Sequence, residues 1–369
     1  MTAPLRIRAA VFRDETGRPT IESLDLSGPG PGEVLVRIVA TGVCHTDHKA
    51  AGPGPSPKPV VLGHEGAGVV VGVGAGVSKL AAGDHVVMTF GSCGGCRSCD
   101  AAQPAYCHDG FNYCFTCRPP GARSYLMSPR GAVNGYFFCQ SSFATHAIGL
   151  ERSVVKIPND VPLEIMGPLG CGVQTGAGAV LNDFNLQPDQ SFAVFGVGAL
   201  GLSAVMAARI VGARQIIAID RHQHRLDLAR DLGAHVGILA GDASLAAQIM
   251  ELCPGGVDVA LDTTGSLSVM RHAIDCLAPR GEAGFVASPW DGSELPIDIR
   301  RLLQGRRIRG IIEGDSNPDL FIPRLVEYWR RGLFPFERLI RFYEFDEIEK
   351  AFHDSEAGLT VKPVLRIQQ

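Results

Sequence analysis

From residue 6 to about 90, apolar positions come in short β-branched runs separated by Gly/Pro turns. The clearest are Glu33-Val-Leu-Val-Arg-Ile-Val39, Gly68-Val-Val-Val-Gly-Val73 and Asp84-His-Val-Val-Met88. That spacing predicts an all-β region of barrel-like type. Beyond residue 172 the pattern changes to strands alternating with helices. Ser191-Phe-Ala-Val-Phe195 reads as a continuous apolar strand, Leu202 to Val211 as an Ala-rich helix ended by Gly212, and Gln215-Ile-Ile-Ala-Ile219 as the next strand. The alternation continues with a helix over Arg225–Gly233, a strand over Val257–Asp262, a helix over Ser266–Leu277 and a strand over Glu282–Ala287. In outline this is a doubly wound parallel sheet. After about residue 315 the pattern predicts helices over Leu320–Arg331 and near Phe345–Ser355, then a strand over Val364–Ile367.

At 369 residues the chain exceeds the size at which one hydrophobic core stops growing, so two domains are expected. Forty-five glycines and 24 prolines signal many turns rather than disorder, because apolar segments separate them. A net charge of −4 offers no electrostatic reason for nucleic acid or an anionic membrane as partner. No apolar run reaches membrane-spanning length, and no apolar core follows the basic residues at the start, so neither a membrane span nor a signal peptide is expected. Eleven cysteines without an export signal point to a reducing compartment, the cytoplasm. The basic group Arg306, Arg307 and Arg309 and the acidic stretch Glu344–Glu349 read as solvated faces.

The candidate chemistry lies in three places. Cys93, Cys96, Cys99 and Cys107 can close a tetrahedron of thiolates around zinc, which is a structural arrangement; an iron–sulfur cluster or two disulfides are the alternatives. Cys114 and Cys117, a second C-x-x-C pair, compete for either role. Cys44 and His64 sit on loops of the β-rich region, and Cys171 lies in a Gly-flanked stretch before a helix pattern; Cys/His/Cys leaves the fourth zinc position open. The third place is Gly196-Val-Gly198-Ala-Leu-Gly201, between strand and helix, with Asp220 following 19 residues after the last glycine. This context is what a dinucleotide fingerprint requires: Gly196 for the turn, Gly198 for approach of the pyrophosphate, Gly201 for helix packing. Asp220 would accept hydrogen bonds from the adenosine ribose and repel a 2′-phosphate, which favours NAD over NADP; Arg221 beside it weighs the other way.

Gly63-His64-Glu65, the four-cysteine lobe and the Gly196 fingerprint occur together in one chain that resembles a zinc-dependent medium-chain alcohol dehydrogenase over nearly its whole length. The segments Gln140–Thr145, Pro168–Gly176 and Phe321-Ile-Pro are most similar to the aryl (benzyl) alcohol dehydrogenase branch. The resemblance implies an α/β fold, with a barrel-like, β-rich (GroES-like) catalytic domain and a Rossmann coenzyme domain of doubly wound parallel sheet. The catalytic domain would be split, residues 1–172 and 315–369, around a coenzyme domain at 173–314, with the active site in the cleft. It also implies two zinc ions per chain, NAD as cofactor and a homo-oligomer of two or four copies.

Carried over residue by residue, Cys44, His64 and Cys171 match the catalytic zinc ligands, a set already known for alcohol dehydrogenases, and Cys93, Cys96, Cys99 and Cys107 the structural ones. Glu65 matches an acid behind the metal, and Asp47 would orient His64. Thr46 matches the hydroxyl that receives the substrate proton. His45 and Lys362 match cofactor phosphate contacts, and Thr175 a cofactor-binding position. Where some relatives end the proton relay in histidine, this chain has Lys49, with His48 adjacent; the relay ends at either residue or at water. The implied reaction is NAD-linked oxidation of a primary alcohol, aromatic or allylic by preference, to the aldehyde. A glutathione- or other thiol-dependent formaldehyde dehydrogenase is the nearest alternative. A nucleotide-binding protein without catalysis is the alternative from another class.

Overall fold

In the computed structural model, which describes residues 4–117, 125–241, 245–289 and 292–367, the strand Glu33–Gly42 is the hub of the β-rich region. It alternates strictly at first, with Val34, Val36, Ile38 and Ala40 buried and the residues between them half-buried. A period of two puts one set of side chains into the core and the other toward the opposite face. One edge pairs antiparallel with Gly66–Val73. The other is shared, His146–Leu150 pairing at residues 33–37 and Lys362–Arg366 at 40–42. The full order of this sheet is Val154–Ile157, His85–Met88, Gly66–Val73, Glu33–Gly42, Lys362–Arg366, Ile340–Glu344. A second sheet runs Val60–Val61, Leu5–Phe12, Pro19–Leu26, Leu126–Ser128, Gly131–Val133. The core of this region is rich in aromatics, including Phe12, Phe137, Phe143 and Phe352.

Chain contacts divide the molecule into two units. One comprises Met1–Cys171, Asn317–Val326 and Glu337–Gln369; the other comprises Gly172–Ser316 and Glu327–Phe336.

The second unit carries six strands, all parallel, in the order Val236–Leu239, Gln215–Asp220, Ser191–Phe195, Val257–Asp262, Leu277–Phe285, Arg307–Gly310. Ser191–Phe195 is buried at every position, as expected of a parallel strand covered on both faces. The chain order reverses between this strand and Val257–Asp262, which is the switch point where such sheets bind ligands.

Several boundaries differ from the sequence reading. The helix after the strand Ser191–Phe195 begins at Ala199, not Leu202, and Gly201 sits inside it: a Cβ there would lie 2.0 Å from the Gly196 carbonyl oxygen. The helix read to Leu277 ends at Asp275, and Leu277 already belongs to the strand Leu277–Phe285. Arg307 is exposed, as read, whereas Arg309 is half-buried; both lie on an edge strand and pair with Glu282 at 3.0 Å. Arg306 is also not simply solvated, since its Nε and Nη1 are buried. No described helix is long and apolar enough to cross a membrane.

Candidate active site and metal centres

The loop between the strand Glu33–Gly42 and the helix His45–Ala51 sets the first ligand. Cys44 is the N-cap of that helix, in extended backbone. Asp47, on the first turn and completely buried, reaches back: its Oδ2 accepts from the Cys44 N–H at 2.9 Å. Its Oδ1 accepts from the Gly63 N–H at 3.1 Å and pairs with His64 Nδ1 at 2.9 Å. The carboxylate therefore holds a proton on Nδ1 and leaves Nε2 to face the site as a ligand atom. That Nε2 is buried without a hydrogen-bond partner, and it lies within 4.8 Å of a ligand atom from each of Cys44, Glu65 and Cys171. A buried orphan nitrogen beside two thiols is costly unless a cation takes it.

In this cluster the Cys44 thiol is held well below its ordinary range, first by a hydrogen bond with Cys171 and then by His64. Against the desolvation of full burial, Asp47 and Cys44 hold His64 above its ordinary range. A lowered thiol beside an imidazole whose Nε2 has no hydrogen-bond partner is a donor set open to a cation. The donor set, two sulfurs and one imidazole nitrogen, fits zinc.

Glu65 is the fourth member. It is completely buried, and both its oxygens accept from Lys362 Nζ, at 2.8 and 2.9 Å; the ammonium also donates to the Val43 carbonyl at 3.2 Å. Burial raises the Glu65 carboxyl, partly offset by Lys362. Against its own desolvation, the Lys362 ammonium is held above its ordinary range by the Glu65 charge. Lys362, expected at a cofactor phosphate, is in this structure a buried counter-charge to Glu65: only 3% of it is exposed, and its ammonium bonds inside the β-rich unit. Glycines make room for this pair. A Cβ at Gly42 would fall 2.0 Å from Glu65 Oε2, and one at Gly167 would fall 2.2 Å from the Glu65 carbonyl oxygen.

Sequence reasoning missed the support around His64. Its ring stacks on Phe138, centroids 4.5 Å apart, and meets Phe137 edge-on at 5.5 Å. Phe138 and Cys139 have φ of 52° and 56°, left-handed values that cost L residues energy. Gln140, fully buried, donates to the carbonyls of His64 (2.9 Å) and Thr89 (3.3 Å) and accepts from the Gly66 N–H at 3.1 Å. The Gln140–Thr145 segment carried a branch resemblance, but nothing local in it reveals that it braces a ligand 76 residues away.

The remaining residues of the helix His45–Ala51 differ in exposure. His45 and Lys49 are exposed, and Thr46 and His48 half-buried. The His48 ring packs 4.5 Å from Phe352 and 5.8 Å from His45. Burial holds it below the usual histidine range, so it is neutral at pH 7.

The four-cysteine lobe is equally well formed. Its ligand atoms lie within 4.8 Å of one another, with Cys93 Sγ to Cys99 Sγ at 3.9 Å and Cys96 Sγ to Cys99 Sγ at 3.6 Å. The edge of a tetrahedron with zinc–sulfur bonds of ~2.3 Å is about 3.8 Å, whereas a disulfide needs ~2.05 Å. Backbone N–H groups of Cys93, Gly95 and His108 point at Cys107, Cys93 and Cys96 sulfurs. Those from Cys99 and His108 draw Cys96 down to about 6, while burial pushes Cys107 up to about 12. Thiolates this close repel one another unless a cation lies between them. Cys114 and Cys117 stand outside the cluster, donating to the Gly91 and Phe115 carbonyls at 3.6 Å.

In the second unit, Gly196 has φ +85°, open to glycine at no steric cost. Gly198 is the N-cap of the helix Ala199–Val211, and a Cβ there would meet nothing within 4 Å. That open space above a helix N-terminus is a cradle for a pyrophosphate. Asp220 is 6% exposed; its Oδ2 accepts from the Val197 N–H at 2.8 Å and its Oδ1 from the His222 N–H at 2.9 Å. It ties the glycine turn to the neighbouring strand, a role the sequence reading did not foresee. Arg221 is exposed and donates to His222. Thr175, 7% exposed, donates from Oγ1 to Glu313 Oε2 at 3.2 Å.

Two zinc donor sets on a β-rich unit, in a chain whose other unit carries a parallel sheet with a glycine cradle, define the zinc-binding dehydrogenases. The description "Alcohol dehydrogenase GroES-like domain" matches residues 30–159, and "Zinc-binding dehydrogenase" matches residues 199–327. The chain is 43% identical over 362 residues to a geraniol dehydrogenase of Castellaniella defragrans, covering 97% of each. Among solved structures it is similar to an alcohol dehydrogenase zinc-binding domain protein from Burkholderia ambifaria, with TM-score 0.97, 47% identity and coverage of 99% of this chain and 100% of that one. It is also similar to a benzyl alcohol dehydrogenase from Acinetobacter calcoaceticus, with TM-score 0.95, 42% identity and the same coverage. The chain belongs to the zinc-dependent medium-chain alcohol dehydrogenase family.

Proposed function

We propose that this enzyme oxidises primary allylic or aromatic alcohols to aldehydes with NAD, reversibly. Cys44, His64 and Cys171 hold a catalytic zinc; Cys93, Cys96, Cys99 and Cys107 hold a structural one. The observation that carries this reading is the His64 Nε2, orphaned, buried and aimed at two thiols while Asp47 holds Nδ1. When bound, zinc supplies the Lewis acidity that makes an alcohol hydroxyl easier to deprotonate, and nicotinamide supplies the hydride acceptor.

The chain's own residues do the rest. Thr46 accepts the hydroxyl proton and passes it toward solvent, with His48, neutral at pH 7, as the acceptor further along the same helix. Lys49 and His45 are exposed on that helix, and His45 contacts the cofactor phosphates more weakly than an arginine would. The Glu65–Lys362 pair lies behind the ligands as a net-neutral support. Asp220 receives the adenosine ribose, and the Gly198 cradle receives the pyrophosphate. The allylic or aromatic preference is supported by relatives named for geraniol and benzyl alcohol.

The test is metal analysis followed by an alcohol panel with NAD and NADP, read by absorbance of the reduced cofactor. Two zincs per chain, and NAD-linked turnover of geraniol and benzyl alcohol well above ethanol, are expected. Formaldehyde with glutathione as the better substrate would replace this reading with the thiol-dependent one. Absence of turnover from a zinc-loaded chain would leave a nucleotide-binding protein. Size-exclusion with light scattering tests the homo-oligomer.

A further inference from the structure

Past the edge strand Arg307–Gly310 the backbone makes a left-handed turn. Glu313, Gly314 and Asp315 have φ of 49°, 66° and 49° in succession. L residues visit this region singly, not in runs. Gly314 is explained by packing: a Cβ there would lie 2.6 Å from the Gln174 carbonyl oxygen and 2.8 Å from the Thr175 carbonyl oxygen and Gly178 Cα. The turn is thus pressed against the helix Gly172–Gly178 by backbone alone. Ser316 Oγ donating to Gln174 Oε1 at 3.0 Å, and Asn182 Nδ2 donating to the Gly314 carbonyl at 3.2 Å, fasten it there.

Packing does not require a glutamate at 313. Glycine or asparagine adopts positive φ with less strain. The chain instead carries a half-buried carboxylate whose Oε2 accepts from the Thr175 hydroxyl at 3.2 Å. Its position in the sheet gives it meaning. A dinucleotide lies across the carboxyl ends of such a sheet, one mononucleotide on each side of the switch point. The glycine turn and Asp220 serve the half on one side. Val257–Asp262, Leu277–Phe285 and Arg307–Gly310 form the other half, and Glu313 follows the carboxyl end of the last of them.

We propose that the Glu313 carboxylate sets the enzyme's preference between oxidised and reduced nicotinamide cofactor, and positions the Thr175 hydroxyl beside the ring. This rests on the dinucleotide reading given under the proposed function. The oxidised ring carries a positive charge. That charge vanishes when the alcohol carbon delivers hydride with its electron pair and the hydroxyl proton departs, leaving aldehyde and neutral ring. A fixed negative charge nearby therefore favours the oxidised form over the reduced one. Glu313 holds NAD+ for the forward reaction and gives no such hold to NADH.

The experiment measures dissociation constants of NAD+, NADH and ADP-ribose on the zinc-loaded enzyme, for wild type, Glu313→Gln and Glu313→Asn. Asparagine tolerates the left-handed backbone and keeps the test open if the glutamine variant does not fold. The Kd for NAD+ is expected to rise about 5- to 30-fold, the range for a partly screened unit charge. NADH should change by less than about 2-fold, because its ring is uncharged, and ADP-ribose, which lacks the ring, should be unaffected. Equal weakening of NAD+ and NADH in a folded variant would reduce Glu313 to a structural residue and overturn the proposal. A wild type that binds none of the three would defeat the dinucleotide reading itself.

Discussion

Asp47 shows how much one buried carboxylate organises. It bonds two backbone N–H groups and the imidazole of His64. Asp47→Asn keeps the shape but lacks the charge that fixes the His64 tautomer. Metal affinity should fall about 10- to 100-fold, measurable by competition with a chromophoric chelator while circular dichroism stays unchanged. Lys362→Met should be worse for stability, removing the ammonium from the buried Glu65 carboxylate at a cost of roughly 3–5 kcal/mol. Pairing it with Glu65→Leu should recover much of that loss in urea denaturation, since an apolar pair of similar volume is tolerated. Recovery no better than the single variant would mean the charges are needed for the fold as well as for each other.

These residues also mark where the sequence was legible. The cysteine lobe and the glycine turn are local: their ligands and glycines fall within a few residues, so spacing alone reports the chemistry. The Glu65–Lys362 pair joins positions 297 apart, and no periodicity connects them. Gln140 and Glu313 escaped notice for the same reason, since each acts on a partner brought close only by the fold.

Among the elements, the helix His45–Ala51 links stability to pH. Burial depresses the His48 pKa, so the unfolded chain binds a proton that the folded chain refuses. Stability should be insensitive to this group above about pH 6.5 and fall as pH drops below it toward the folded value. His48→Gln should shrink the difference between melting temperatures at pH 7.5 and 5.5; an unchanged difference would assign the acid sensitivity to other groups. The glycine turn makes a separate prediction. Because a Cβ at Gly198 meets open space, Gly198→Val should leave melting nearly unchanged but raise the Kd for NAD at least about 10-fold, by filling the phosphate cradle. The edge strand Arg307–Gly310 goes unseen in the sequence for a physical reason: in Arg-Ile-Arg the period is two, but charge dominates the composition. Only the fold reveals Glu282 on the neighbouring strand as the common partner of both arginines.

At the scale of the molecule, two units with separate cores should respond separately to ligands. Saturation with NAD at about 100 times Kd should stabilise the nucleotide-binding unit by about 2.7 kcal/mol. Hydrogen exchange should report that protection chiefly in residues 172–316, and chelation of zinc should instead raise exchange around residues 93–107. Uniform change across both units in either experiment would show that they open as one.

The strand Lys362–Arg366 lies between Glu33–Gly42 and Ile340–Glu344 in the sheet, and the counter-charge for Glu65 arrives on it. A ribosome therefore exposes Cys44, His64 and Cys171 long before that strand emerges. The buried pair therefore closes only once a segment 297 residues further along has been made, and a translationally stalled product lacking that strand should emerge metal-poor and prone to proteolysis.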